Sequence, residues 1–186
     1  MNRRANFSLF RMSAFAAALV MSAGAVYSQD FESKKIVPFV PTPQEVVDKM
    51  IELAEVKKGD VVYDLGSGDG RIVIAAAKKG ARAVGFDIDG DLVKESRENI
   101  RKAGVQNSAE IRQQDMLTVD LSAASVVTMY LLPDVNLMLR PKLLSQLKPG
   151  ARVVSNAFDM GDWKPDKTEY LYGRTIYLWT IPAKGR

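Results

Sequence analysis

One heptapeptide constrains this chain more than any other feature: Asp64-Leu65-Gly66-Ser67-Gly68-Asp69-Gly70. It ends a short apolar run, Val61 to Leu65, that reads as a buried strand. It precedes Arg71 to Lys79, where Ile72, Val73, Ala75 and Ala76 recur at helical spacing and Gly80 stops the element. Glycines in a strand-to-helix turn reach left-handed backbone conformations and let the chain pass close to a ligand. The helix that follows directs unpaired N–H groups toward the same crevice. In open α/β sheets, ligands lie beyond the carboxyl ends of the strands, at the switch point of the strand order.

The glycine spacing narrows the ligand. A dinucleotide fingerprint requires Gly-x-Gly-x-x-Gly, and a phosphate-binding P-loop requires Lys-Ser/Thr after the glycines. This chain has Gly66-x-Gly68-x-Gly70, with Arg71 where the third dinucleotide glycine would stand. Asp64 opens the turn with a negative charge, which would repel a pyrophosphate and suits a cationic ligand.

The rest of the chain supplies a frame of the same kind. Thr42-Pro43-Gln44-Glu45 reads as a helix start, with Thr42 as cap and Glu45 closing a capping box. Val46, Val47, Met50, Ile51 and Ala54 give that helix one apolar face. Further strands are expected at Ala83–Phe86, Ala109–Gln113, Ser125–Tyr130 and Ala151–Ser155, with one or two more between Tyr170 and Ile181. Helices are expected at Asp91–Ala103 and Asp134–Leu147, the latter containing Pro141. Alternating strands and helices predict an α/β fold: a single domain with a Rossmann-like, doubly wound, mainly parallel sheet.

Two more acids stand where strands end. Asp87 lies 23 residues beyond Asp64, placed to accept from both hydroxyls of a ribose. Asp115 follows the third strand and is placed to accept from an exocyclic amine such as that of adenine. A nucleoside with a ribose, an adenine and a positively charged group satisfies all three acids. The chain has no cysteine and no histidine. That excludes thiol nucleophiles, disulfides, Cys-ligated metals and the Ser-His-Asp triad, and no metal site is expected. Proton transfer falls to Asp, Glu, Lys, Tyr or water.

With these residues in place, the chain resembles the class I S-adenosylmethionine-dependent methyltransferases. The resemblance runs from about Val37 to Asn156. More narrowly, Val37-Pro38-Phe39-Val40-Pro41-Thr42-Pro43, together with Asp64 to Ala77, is similar to the family containing the mitochondrial ATP synthase c-subunit lysine methyltransferase and its bacterial relatives. The resemblance implies S-adenosylmethionine as cofactor. It places Gly66, Ser67, Gly68 and Gly70 against the methionyl and ribose parts, Asp64 near the methionyl amine, Asp87 on the ribose hydroxyls and Asp115 on the adenine amine. It implies a methyl acceptor, a protein lysine among the candidates, entering beside the fourth strand. Tyr130 is placed there to meet a cationic amine through its ring or hydroxyl. After the fifth strand, Asn156-Ala157-Phe158-Asp159-Met160-Gly161-Asp162-Trp163 offers Asn156 and Asp159 to a lysine side chain, with Trp163 either exposed or packed on the sheet. A lysine must be neutral to attack, so its proton needs an acceptor such as Asp159 or a lowered pKa. Two other readings use the same frame: a transferase of the aminopropyl type, and a non-catalytic binding protein for the same cofactor.

The N-terminus carries a separate message. Arg3, Arg4 and Arg11 precede Ser13–Ala25, an Ala-rich apolar run of 13 residues, where a membrane span needs about 20. Residues 1–28 read as a secretory signal peptide, which predicts export to a periplasmic or extracellular compartment. An uncleaved membrane anchor and a mitochondrial presequence are the alternatives, and only the anchor implies membrane association. An extended arm over 29–42 leads into the catalytic domain, 43–186. Its position before the first helix suggests closure over the cofactor. Beyond the first 29 residues, 23 basic side chains face 22 acidic ones, which is not the footprint of a nucleic-acid binder.

Overall fold

The structure, a computed structural model, describes residues 36–183. These residues fall within one compact unit, 35–186. The expected leader, residues 1–28, and the first half of the arm, residues 29–35, lie outside the described residues.

Seven strands form one sheet: β1 (Val61–Leu65), β2 (Arg82–Asp87), β3 (Ala109–Gln113), β4 (Val126–Met129), β5 (Arg152–Asn156), β6 (Lys167–Leu171) and β7 (Arg174–Thr180). Their spatial order is β3-β2-β1-β4-β5-β7-β6. The first five are parallel, and β7 runs antiparallel to both β5 and β6. The chain winds outward from β1 to β3, then returns to place β4 on the other side of β1. The switch point therefore lies between β1 and β4, directly above the glycine turn.

Helices cover both faces. Neighbouring residues of each strand belong to different cores, as the pleat requires. Val62, Ala83, Ile111, Val126 and Val154 pack with α1 (Gln44–Leu53), α2 (Arg71–Lys78) and α3 (Gly90–Lys102). Tyr63, Val84, Phe86, Val127, Met129, Val153 and Trp179 pack with α4 (Pro133–Gln146) through Val135, Leu139 and Leu143. Strands buried on both faces read as continuous apolar runs, which is why Val61 to Leu65 stands out in the sequence.

One local expectation changes. Pro43, not Thr42, occupies the N-cap of α1, and no side chain caps that end. Thr42 is buried, and its carbonyl instead accepts from Arg71 Nη1 at 2.5 Å. The C-terminal tail forms two strands joined at Tyr172-Gly173, and these complete the sheet. Pro141 sits inside α4, where the helix runs through it.

At the amino ends of the strands, Asp60 accepts from Arg152 Nη2 at 2.5 Å, Ser125 Oγ at 2.8 Å and the Lys57 N–H at 3.0 Å. This network ties the segment after α1 to the starts of β4 and β5, away from the glycine turn.

Candidate active site

The glycine turn is held by the strand beside it. Gly66 and Ser67 both donate their N–H groups to the Phe86 carbonyl, at 2.9 and 3.0 Å. Gly66, Gly68 and Gly70 have φ of 74°, 53° and 82°, so the turn runs through three left-handed residues. A Cβ on Gly66 would lie 2.8 Å from Leu131 Cδ2. Gly85, within β2, leaves a notch for Ser67: a Cβ there would meet Ser67 Cβ at 2.6 Å. Ser67 is therefore buried against the sheet, and its hydroxyl has no hydrogen-bond partner among the described residues. A glycine inside a strand signals such a close approach, and Gly85 is the readable sign of it.

The three acids stand on adjacent strand ends, as the spacing predicts. Asp64 is 2 % exposed and accepts from Thr128 Oγ1 at 2.7 Å. Burial, with the neighbouring charges of Asp87 and Asp69, pushes its carboxyl up to about 7, against the Thr128 hydrogen bond. Asp87 is half-buried; Oδ2 accepts from the Gly68 N–H at 2.7 Å and Oδ1 from the Asp89 N–H at 3.0 Å. Burial raises its pKa as well, and these backbone bonds oppose the rise. Asp115 caps the 3₁₀ turn Met116–Thr118, accepting from the Leu117 N–H at 2.9 Å through Oδ1. Among the described residues, none of the three has a basic partner. A buried carboxylate without a countercharge is a poor structural device and a good seat for a cation. The donor set thus suits a cationic nucleoside.

The residues expected to face the methyl acceptor lie around the ends of β4, β5 and β7. Tyr130 is half-buried, but the openings expected of it are filled. Arg174, at the start of β7, donates to the Tyr130 hydroxyl at 2.5 Å and lies 5.1 Å from the ring centroid. The cation seat read from the sequence is occupied by a residue 44 positions away. No local pattern announces this pairing, which the antiparallel return of β7 creates.

Asn156 is fully buried. Its Nδ2 reaches Thr42 Oγ1 at 3.5 Å, and its Oδ1 has no protein partner among the described residues. Ala157 follows with φ of 70°, an uncommon conformation for a residue with a side chain. Asp159 is exposed and accepts from the Gly161 N–H at 3.0 Å. The loop is held from α4: Asn136 Nδ2 donates to Ser155 Oγ at 3.1 Å and to the carbonyls of Phe158 and Asp159 at 3.1 and 3.2 Å. Arg140 adds bonds to the Met160 carbonyl and the Asp162 carboxylate. Trp163 packs 5.6 Å from Trp179, whose Nε1 donates to the Trp163 carbonyl. Trp163 is therefore part of the loop's anchorage.

Comparison with known proteins agrees with this geometry. A model of the ANTKMT methyltransferase domain matches residues 64–167. The chain belongs to the ANTKMT methyltransferase family. Within and around this family, a protein-lysine N-methyltransferase of Saccharolobus islandicus is 47% identical over 78% of this chain and 94% of its own length. The human ATP synthase c-subunit lysine N-methyltransferase is 39% identical over 72% of this chain, which matches 57% of that protein. Among solved structures, an RNA methyltransferase from Salinibacter ruber in complex with S-adenosyl-L-homocysteine is 59% identical. Its TM-score is 0.76, covering 79% of this chain and 97% of that one. This family member is an S-adenosylmethionine-dependent methyltransferase.

Proposed function

We propose that the acceptor is the side-chain amine of a protein lysine. The observation that carries this reading is the 47% identity to an archaeal protein-lysine methyltransferase over nearly that protein's whole length. The near balance of charge beyond residue 29 agrees with a protein acceptor better than with a polyanion. A second reading, RNA as acceptor, has its own support in the 59% identity to the Salinibacter protein. Incubation with methyl-labelled S-adenosylmethionine, a mixed-sequence lysine peptide library and total RNA separates them. Label on peptide lysines supports the first reading, and label on RNA alone replaces it.

When bound, S-adenosylmethionine supplies an electrophilic methyl on a positively charged sulfur, with a neutral leaving group. The chain's own task is alignment. Asp64 seats the methionyl amine, Asp87 fixes the ribose and Asp115 the adenine, while the glycine turn lets the backbone approach. Orientation of this kind is worth roughly 7–11 kcal/mol in well-aligned systems. On the acceptor side, Tyr130 is held by Arg174, and the Asn156–Trp163 loop presents the exposed carboxylate of Asp159 while Asn156 stays buried at its base. A fixed guanidinium at the mouth disfavours an ammonium and favours the neutral, attacking form of the amine. Asp159 is the group within this loop able to take the proton.

We propose the compartment on the same footing. Residues 1–28 act as an export signal, so the mature enzyme works outside the cytoplasm; among the described residues no helix is long and apolar enough to cross a membrane. Fractionation with N-terminal sequencing of the mature protein tests this. An intact N-terminus in the cytosolic fraction refutes it.

A further inference from the structure

The arm that precedes α1 crosses the cofactor crevice. Val37 packs against the core beneath α4, whereas Val46 and Val47 belong to the core beneath α1, α2 and α3. Between these anchorages the chain must pass from one face of the sheet to the other. It does so over the carboxyl ends of the strands, and Phe39 marks the place. A Cβ on Gly68 would collide with Phe39 Cε2 and lie 2.7 Å from Cδ2, so the aromatic ring rests on the glycine itself. Gly68 is buried although its turn opens on the crevice, and its neighbour Gly66 is exposed.

The base of the arm is fastened to the same turn. Arg71 grips Asp69 with Nε at 2.9 Å and Nη2 at 2.5 Å, and its Nη1 donates to the Thr42 carbonyl at 2.5 Å. Asn99 Nδ2 steadies the turn from α3 through the Asp69 carbonyl at 3.0 Å. Beyond this clamp, Ile36, Phe39 and Val40 are 43, 45 and 46% exposed. Apolar side chains ordered at a crevice and left half-wet are under-used by the protein alone, and a bound nucleoside would bury more of them.

We propose that Phe39 is a cofactor-retaining residue, its ring seated on Gly68 as the outer wall of the crevice and the arm docking as the cofactor binds. The inference rests on use of S-adenosylmethionine and is independent of what the acceptor is. Linkage makes the effect reciprocal: the docked arm strengthens cofactor binding, and bound cofactor holds the arm down by the same free energy. Gly68 then has two reasons to lack a side chain, since its φ is positive and the ring of Phe39 fills the space a Cβ would take.

The test uses the full chain and S-adenosylhomocysteine. Titration calorimetry and stopped-flow displacement give affinity and dissociation rate for the wild type, Phe39→Ala and Phe39→Leu, with Lys102→Ala as a remote control. Hydrogen exchange is followed in the peptide covering residues 36–41. Phe39→Ala is expected to weaken binding about tenfold, mostly through faster release, a change of about 1.4 kcal/mol. Phe39→Leu should retain most of the affinity. Cofactor should slow exchange of the arm in the wild type and lose that effect in Phe39→Ala. Unchanged affinity and release in Phe39→Ala, with or without a lower Tm, overturn the inference, as does arm exchange indifferent to cofactor in the wild type. No binding by folded wild type would instead overturn cofactor use itself.

Discussion

The guanidinium of Arg174 covers the ring of Tyr130 and donates to its hydroxyl at 2.5 Å. The first residue of β7 thus fixes the side chain that leaves the end of β4, across the intervening strand β5. A charge-assisted hydrogen bond of this kind contributes about 1.5–3 kcal/mol, and its loss should be felt on the acceptor side. Arg174→Met is expected to lower kcat/KM for a protein acceptor about tenfold. Affinity for S-adenosylhomocysteine should stay within about twofold of wild type, since the pair lies outside the cofactor acids. Steady-state kinetics beside calorimetry reads both, and an equal loss in the two would assign the pair to the cofactor half.

Asp64 makes cofactor binding depend on pH. Its folded pKa is raised to about 7 from 3.8, chiefly by burial. In the free enzyme this group's stabilising contribution is complete below 3.8 and is lost as pH rises through about 7. A cationic ligand reverses the preference, because it favours the carboxylate. Affinity for S-adenosylmethionine should therefore fall by up to about tenfold per unit as pH drops below about 7. Asp64→Asn should flatten that dependence, weaken binding at pH 8, and raise the Tm of the ligand-free enzyme there.

Asp87 holds both the turn and, by position, the ribose. Asp87→Ala removes the acceptor of the Gly68 and Asp89 N–H groups. We expect it to weaken cofactor binding by more than about 1 kcal/mol and to lower Tm as well. Asp87→Asn keeps a carbonyl acceptor, so its loss of stability should be smaller than its loss of affinity. Calorimetric titration alongside thermal melts distinguishes the two effects, and full affinity in the alanine variant would remove this residue from the site.

The Asp60 network should govern acid stability without touching catalysis. Burial raises the Asp60 pKa, but Ser125, the Lys57 N–H and Arg152 outweigh it and leave the carboxyl below its usual value. The stabilisation it gives is present above pH 3.8 and is lost as pH falls through the lowered folded value. Asp60→Asn leaves the largely buried Arg152 without its countercharge, though still bonded to the Ala54 and Glu55 carbonyls, which should cost about 1.5–3 kcal/mol at pH 7. Urea unfolding at pH 7 and pH 3 should show the difference between variant and wild type shrinking at the lower pH.

Strained backbone offers a last check. Ala157 has φ of 70° directly after the buried Asn156. Ala157→Gly should stabilise the fold by roughly 0.5–1 kcal/mol, because glycine reaches this conformation without a Cβ penalty. Thermal melts should show a higher Tm, and a lower one would mean the conformation is not strained.

The cofactor half is legible in the sequence because its signals are local. The glycines, the acid opening the turn and the acid after each of the next two strands sit at fixed offsets from elements with clear periodicity. Chain topology then brings them together without further information. The acceptor half follows a different logic. Tyr130, Asn156 and Asp159 are picked out by position after a strand, but their roles depend on Arg174, Asn136 and Thr42, which approach from elsewhere in the chain. Ser67 shows the same limit at short range: the turn is evident, yet the direction of its side chain depends on a notch at Gly85, eighteen residues on. The misplaced cap at Thr42 has a like cause, since a tertiary bond from Arg71 takes the carbonyl and draws the residue inward.

The reversal of β7 has a consequence for how such enzymes diverge. It brings the tip of the β6–β7 hairpin, with the exposed Tyr170 and Tyr172, to the edge of the sheet at the carboxyl end of β5, on the side proposed for the acceptor. Asp64, Asp87 and Asp115 stand on or just after β1, β2 and β3, on the other side of β4 and β5 from that tip. Variation confined to that hairpin can thus leave the strand ends that carry the three acids intact.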